Sequence, residues 1–331
     1  MRIVADSHIP YLDACITPEV QLVRCERITH DDLLEADALL VRTRTRCDAS
    51  LLEGTKVEFI GSATIGTDHI DLDYCRRSGI TVCNAPGCNA PAVAQWVLSS
   101  IGHWMQMRGF DDTSVLSLGI VGVGHVGSIV ARWARQLGFT VLLNDPPLEY
   151  SGNHNMEFSH IDRLLDQCDI ITFHTPLTRG GNWPTWHLCD GDFLSRASRC
   201  GLLLNAARGA VCDTAALLKW KGDLAIDCWE EEPFINCQLL ENAFVATPHI
   251  AGYSQEGKMR GTAMVIQGMA EHFGLSMQPL FPDTPQAGAD QVTIQRIMES
   301  YNPLLDTLSL KSAPQMFENL RNNYILRHEV S

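Results

Sequence analysis

Short runs of apolar, often β-branched side chains alternate along the chain with stretches whose apolar residues recur every three or four positions. The first pattern predicts buried strands and the second amphipathic helices. The clearest change from one to the other lies in residues 116–145. A strand over 118–121 runs into Gly122, Gly124 and Gly127, and Val126, Ile129, Val130, Trp133 and Leu137 then keep helical spacing. Gly138 ends that helix, and a second strand over 140–143 leads to Asp145. One strand–helix–strand unit accounts for the whole passage.

The same alternation extends in both directions. Before this unit, strands are predicted over 3–5, 38–41, 57–61 and 80–83, with a helix over 71–78. A long helix over 90–107 is expected to cross between two lobes. After the unit come a helix over 160–167, a strand over 170–173, a Gly/Trp/Pro loop over 179–186, a strand over 201–205, a helix over 214–221, and strands over 224–227 and 244–246. Strands alternating with helices make parallel sheets with helices on both faces. The expected fold class is therefore α/β, with two Rossmann-like or flavodoxin-like lobes, each a doubly wound parallel sheet. Residues 1–91 form a substrate-binding lobe completed by a return helix within 254–280, and 92–253 form a dinucleotide-binding domain. Residues 280–290 look like a linker. The last forty or so residues have helical apolar spacing (Ile294, Ile297, Met298, Tyr301, Leu304, Leu305, Leu308) but are too few to hold a core alone. They read as a small C-terminal dimerisation segment, over 281–331, of a homodimer.

Composition narrows the function classes. The chain has 331 residues, of which 45% are hydrophobic, and a formal charge of −14 from 39 acidic and 25 basic side chains. Such a charge repels nucleic acid and anionic membrane, so neither is an expected partner, and an anionic substrate needs a local basic pocket. Twelve cysteines carry no CxxC pair and no metal-like spacing. They read as reduced thiols in a cytoplasm, with no metal site. No signal peptide or membrane span is predicted.

Gly122-x-Gly124-x-x-Gly127 lies between a strand and a helix, where it forms a phosphate cradle. Gly122 permits the turn, Gly124 clears space for a pyrophosphate, Gly127 lets helix and strand approach, and the helix N-terminus presents N–H groups. His125 and Val126 share that loop. Asp145, about twenty residues on, accepts hydrogen bonds from ribose hydroxyls and repels a 2′-phosphate, which points to NAD.

Three further segments fall at predicted strand ends: LNAARG (204–209), DCWEEEP (227–233) and TPHIAG (247–252). Oxidising an alcohol needs a base, a group that orients the base, and a cation for a substrate carboxylate. His249, Glu232 and Arg208 supply these. Singly, each has another use, as a loop histidine, a surface charge or a helix cap. Two loops of the first lobe also follow strands, VRTRTR (41–46), read as a strand-like extension, and GSATIGTDH (61–69). The second is rich in hydroxyls and glycine, so its backbone N–H groups suit a carboxylate.

These motifs, with FHTPLT (173–178), resemble the D-isomer-specific 2-hydroxyacid dehydrogenases. SATIGTDHID, NAPGCNA, the Asp145-Pro146-Pro147 turn, HIAGYSQEGKMRG and NLRNNYILRHE point to a branch acting on a small phosphorylated hydroxy acid. The resemblance implies Arg208, Glu232 and His249 as catalytic residues. It implies NAD contacts at Thr175, Ala206, Ala207, Arg208, Asp227 and Gly252 beside the glycine loop and Asp145. Substrate contacts are implied at Thr43, Thr64 and Tyr253. For a substrate phosphate the cationic candidates are Arg42, Arg44, Lys258 and Arg260. His125 stands where the family pattern has Asn, Glu231 where it has Gly, and the C-terminal segment is short. Two other readings share the fold. One is a dehydrogenase for 3-phosphoglycerate, glycerate or hydroxypyruvate, and the other is an NADH-sensing scaffold without turnover.

Overall fold

The computed structural model describes residues 1–152, 155–283 and 292–330. Most of the expected 280–290 linker lies outside them. The chain divides into two compact units, Met1–Asn89 with Ser254–Thr284, and Ala90–Tyr253 with Pro285–Ser331.

The first unit holds a five-stranded parallel sheet of β1 (Arg2–Asp6), β2 (Gln21–Cys25), β3 (Ala38–Val41), β4 (Phe59–Ser62) and β5 (Thr81–Asn84), in the order β2-β1-β3-β4-β5. β3 and β4 are buried along their whole length. That is why both read as continuous apolar runs rather than alternating ones. The return helix Gln255–Phe273 packs on β4 and β5, with Val265, Ile266 and Met269 in the core. Its N-cap is Ser254, whose hydroxyl accepts from Gly257 N. Chain order reverses beside β1, which has β2 on one side and β3 on the other.

The second unit contains β6 (Ser117–Val121), β7 (Thr140–Asn144), β8 (Ile170–Phe173), β9 (Leu202–Asn205), β10 (Asp223–Ile226) and β11 (Val245–Ala246). All are parallel, in the order β11-β10-β9-β8-β6-β7. Here the order reverses at β6, and doubly wound sheets bind their ligands outside the carboxyl ends of strands at such a point. The helix Ala90–Arg108 belongs to this unit and is buried on nearly all sides, around Trp96, Leu98 and Ile101.

The described part of the C-terminal segment packs on its own chain. The helix Ile294–Ser300 lies on Ala90–Arg108, and Pro303–Ser312 lies against β11. Ile297, Leu310, Phe317 and Val330 are all buried in the cores of the second unit. Among the described residues, no helix is long and apolar enough to cross a membrane. None of the twelve cysteines is in a disulfide. Burial pushes the thiols of Cys47, Cys168 and Cys200 up to about 12, so these are packing groups rather than nucleophiles.

Candidate active site

The glycine loop leaves β6 with two of its three glycines forced, each for a different reason. Gly122 has φ +88°, and a Cβ there would sit 2.8 Å from the backbone of His174 and Thr175. At Gly127 a Cβ would fall 2.0 Å from Gly122 O, the close strand–helix approach expected of this turn. Around Gly124, by contrast, nothing lies within 4 Å, and Gly124 is the N-cap of the helix His125–Gln136. The first turn of a twelve-residue helix therefore opens onto empty space, as a pyrophosphate requires. Beside it, Thr175 Oγ1 and His174 Nδ1 are buried without a hydrogen-bond partner. Burial brings His174 down to about 3, so its imidazole stays neutral. An unpartnered hydroxyl next to a cradle is what a missing ligand leaves behind. These residues fit NAD.

Asp145 does more local work than its ribose role suggests. Its Oδ2 accepts from Val123 N at 2.7 Å, tying the end of β7 to the glycine loop. Its Oδ1 accepts from Leu148 N at 3.0 Å as the N-cap of a helix, Pro146–Ser151. Two prolines fit the first turn of a helix, where their missing N–H groups would go unpaired anyway. Each carboxylate oxygen keeps a second lone pair for a ribose hydroxyl.

Beyond β10 the chain forms the reactive pair. Glu232 Oε2 lies 2.8 Å from His249 Nδ1, and Glu232 Oε1 accepts from Trp229 N at 2.7 Å. A carboxylate only accepts, so Nδ1 carries the hydrogen and Nε2 is left to take a proton. The Glu232 side chain is 17% exposed and that of His249 35%. Burial alone would raise the Glu232 carboxyl. The hydrogen bond and charge of His249 outweigh it, and Glu232 ends below the usual range. For His249, burial favours the neutral ring, but its contacts with Cys228 and with Glu232 favour the imidazolium, and the net direction is well upward. Cys228, beside the ring, is itself raised by burial and so stays a neutral thiol at physiological pH. The Glu232 carboxylate is therefore the charged partner of the protonated ring.

Both sides of this pair depart from relaxed backbone. His249 has φ 56° and Glu231 φ 61°, the left-handed region that glycine adopts at little cost. Buried bonds hold them there. Asp227, 1% exposed, accepts at Oδ1 from Thr247 Oγ1 (2.6 Å), Ile250 N (2.8 Å) and Ala251 N (3.0 Å). Trp229 Nε1 donates to Thr247 O at 2.9 Å. Arg208 follows β9 in a stretch pressed against this loop, since a Cβ on Gly209 would lie 1.9 Å from Trp229 O. Arg208 Nη1 donates to Ala207 O at 2.8 Å. Ala206 and Ala207 occupy the turn after β9, and Ala207 N donates to Asn205 Oδ1 at 3.1 Å. Gly252 follows the Asp227-bound amides.

Sequence reasoning missed a second support. Arg327 Nη1 donates to Ile250 O (3.1 Å) and Tyr253 O (3.0 Å), and Nη2 donates to Ala92 O (3.1 Å) and Ala251 O. Its Nε reaches Gln95 Oε1 at 3.1 Å, and its guanidinium sits 4.1 Å over the Tyr301 ring. The C-terminal segment thus clamps the loop that carries His249. Arg321 approaches Glu232 itself, with Nη1 3.6 Å from Oε2.

In the first unit, the arginines of 42–46 lie on a turn, not on an extension of the strand, because β3 ends at Val41. The turn brings Arg42, Arg44 and Arg46 to a cavity of about 280 Å³ together with Asp6, His8 and Arg27. The cavity opens where the strand order reverses, at the carboxyl ends of β1 and β3, the usual ligand position in such a sheet. Arg42 Nε donates to Asp6 Oδ2 at 3.1 Å, and Arg46 Nε to Asp48 Oδ2 at 2.7 Å. Lys258 and Arg260, expected in the same cluster, do not line it. Their helix packs on β4 and β5, toward the other edge of the sheet, and Arg260 Nε donates to Cys88 O at 2.8 Å. Thr64 follows β4, with its hydroxyl 2.8 Å from Ser62 Oγ. Tyr253 lies in the second unit, edge-on to Tyr324 at 6.2 Å.

Known proteins resemble the chain along its length. Residues 90–251 match the family model for the D-isomer specific 2-hydroxyacid dehydrogenase, NAD binding domain. An erythronate-4-phosphate dehydrogenase of Bacteroides thetaiotaomicron is 42% identical, over 99% of this chain and 97% of that protein. One of Marinobacter nauticus is also 42% identical, over 100% of this chain and 93% of that protein. Two crystal structures share the fold. D-lactate dehydrogenase from Aquifex aeolicus, complexed with NAD and lactic acid, has a TM-score of 0.63 at 23% identity and covers 82% of this chain and 96% of its own. NAD-bound 3-phosphoglycerate dehydrogenase of Entamoeba histolytica has a TM-score of 0.64 at 21% identity and covers 86% and 99%. With its glycine cradle, its Glu232–His249 pair and full-length relatives of this kind, the chain belongs to the D-isomer-specific 2-hydroxyacid dehydrogenase family, with NAD as cofactor.

Proposed function

We propose that the protein oxidises the 2-hydroxyl of 4-phospho-D-erythronate to 3-hydroxy-2-oxo-4-phosphooxybutanoate, a step in making pyridoxal 5′-phosphate (vitamin B6). The observation that carries the reading is the 2.8 Å Glu232–His249 pair, in a chain 42% identical along nearly its full length to erythronate-4-phosphate dehydrogenases. The arginine-lined cavity supports the phosphate part of it.

NAD, when bound, supplies the acceptor for the hydride that leaves C2. Gly122, Gly124, His125, Val126 and Gly127 would hold its pyrophosphate and Asp145 its ribose, with Thr175, Ala206, Ala207, Arg208, Asp227 and Gly252 lining the rest. His249 Nε2 takes the hydroxyl proton. Glu232 fixes the tautomer beforehand and carries the charge balance once the imidazolium forms. Arg208 pairs with the substrate carboxylate through its planar fork. Arg42 and Arg44 are the phosphate partners, and Thr43, Thr64, Tyr253 and Lys258 are further substrate contacts. Following nicotinamide reduction with a panel of phosphorylated and plain 2-hydroxy acids tests the reading. Fastest turnover of 4-phospho-D-erythronate is expected, and the absence of turnover on every acid would refute it.

We also infer a homodimer in the cytoplasm. Leu305 and Leu308 are 63% and 64% exposed on the helix Pro303–Ser312, whose Leu310 is fully buried on the opposite side. An apolar pair so exposed favours a second copy. A stable monomer in a native-size measurement would contradict this. Twelve cysteines without a disulfide favour a reducing compartment.

A further inference from the structure

The Glu232–His249 pair has a neighbour that neither the glycine loop nor the strand-end motifs reveal. Arg321 comes from the helix Phe317–Asn322, which is anchored in the core by Phe317 at 1% exposure. Its Nη1 lies 3.6 Å from Glu232 Oε2, the same oxygen that faces His249 Nδ1, and 3.6 Å from Glu318 Oε1. The Arg321 side chain is 17% exposed, and its Nε is buried without a hydrogen-bond partner. At 3.6 Å the contact is too long for a good hydrogen bond. Arg321 therefore acts on Glu232 as a fixed charge and leaves Oε2 to the imidazole.

The other groups around the pair do not supply that charge. Asp227 and Cys228 come from the end of β10, and the Oδ1 of Asp227 is spent on backbone amides and Thr247. Cys228 is a neutral thiol. Tyr253 lies against Arg321, and Glu318 is on the exposed side of the guanidinium, at 45% exposure. Arg321 is the one cation in this set besides His249 itself.

We propose that Arg321 is a positioning residue for the proton transfer, holding the Glu232 carboxylate at His249 and offsetting part of its negative charge. A carboxylate shared with Arg321 binds the imidazole proton less tightly than an unshared one, so His249 is free to act as a base closer to neutral pH. The C-terminal segment would then tune the reaction as well as brace its loop. This inference rests on His249 being the base.

The pH profile of kcat/KM tests it. Arg321→Gln removes the charge, so the acidic limb should move to higher pH by on the order of one unit, about a tenfold loss on the acid side with the alkaline plateau near wild type. NAD affinity should stay unchanged. Arg321→Lys keeps the charge and should keep the limb near its original place. Glu318→Gln leaves more of the arginine's charge to Glu232, so its limb should move to lower pH. If Arg321→Gln fails to fold, the profiles of the other two variants decide. An equal loss at every pH would overturn the inference, because it would mean a merely structural role. So would a raised KM with an unmoved limb, which would mean direct substrate contact. His249→Asn separates the two readings. If that variant keeps turnover, the base assignment falls. If His249 is essential but the Arg321→Gln limb stays put, only this inference falls.

Discussion

The two charged sites are built on opposite plans. Around His249, most of the supporting side chains are largely buried and hydrogen-bonded. Asp227 is 1% exposed with three donors on one oxygen, Glu232 is 17% exposed, Arg327 spans six acceptors, and two residues are held at left-handed φ. In the arginine cavity of the first unit, Arg46 is 84% exposed, and Arg42 and Arg46 rest on nearby carboxylates. Proton transfer tolerates little error in position, so its groups are overdetermined and the backbone strain is held by the surrounding bonds. Recognition of a phosphate needs charge and reach, which a hydrated turn supplies at less structural cost. Substitutions in the first region should therefore change kcat or stability, and those in the second should change KM.

The largest break in that contrast comes from His249→Asn. It should lower kcat by about 10² to 10⁴ while leaving NAD affinity intact, as loss of a general base does. Retained turnover, measured in steady state, would remove His249 from the chemistry. Next is Arg327→Met, which leaves the carbonyls of Ala92, Ile250, Ala251 and Tyr253 without their donor. A loss of roughly 3 kcal/mol is expected in denaturant unfolding. A change below ~0.5 kcal/mol, the size of an ordinary surface substitution, would show that the clamp contributes nothing.

Glu232→Gln acts more mildly. The base works only when neutral, and His249 lies well above its ordinary value of 6.5, raised by Cys228 and by Glu232 against the effect of burial. Activity should therefore rise with pH through a limb lying above that value, and the Gln variant should move the limb to lower pH. A limb that stays in place in the variant would mean that Glu232 does not set it. The smallest effect belongs to Glu231→Gly. Relief at φ 61° is countered by the extra freedom of glycine in the unfolded chain, so stability should change by less than about 1 kcal/mol. Its kcat should not change.

The contrast also explains what could be read from the sequence. Strands buried on both faces, such as β3, β8 and β9, stand out as apolar runs, and their predicted ends fall within a residue of the observed ones. β2 went unread because it is a half-exposed edge strand, with Gln21 and Arg24 among its five residues. The helix Pro146–Ser151 was hidden because two prolines read as a turn when their capping partner is not known. Motifs at strand ends announced Glu232 and His249, which are bonded as expected. Arg321 and Arg327 lie roughly seventy or more residues from the loops they support. Both lie in the NLRNNYILRHE motif, which carried the resemblance but gave no sign of which loop each arginine would reach. His8 and Arg27 join the arginine turn only because β1, β2 and β3 are neighbours in the sheet, a fact that strand order decides and local pattern does not.

One measurement tests the central claim, that a family base is here set to work on a phosphorylated acid. It is the ratio of kcat/KM for 4-phospho-D-erythronate to that for glycerate, in the wild type and in Arg42→Ala and Arg44→Ala. A charged hydrogen bond contributes about 1.5–3 kcal/mol, so each substitution should raise KM for the phosphorylated substrate by roughly tenfold or more and leave glycerate turnover nearly unchanged. The wild-type ratio should be large and should fall in both variants. Equal losses on both substrates would mean that the cavity does not read the phosphate, and a wild type that prefers glycerate would contradict the account outright.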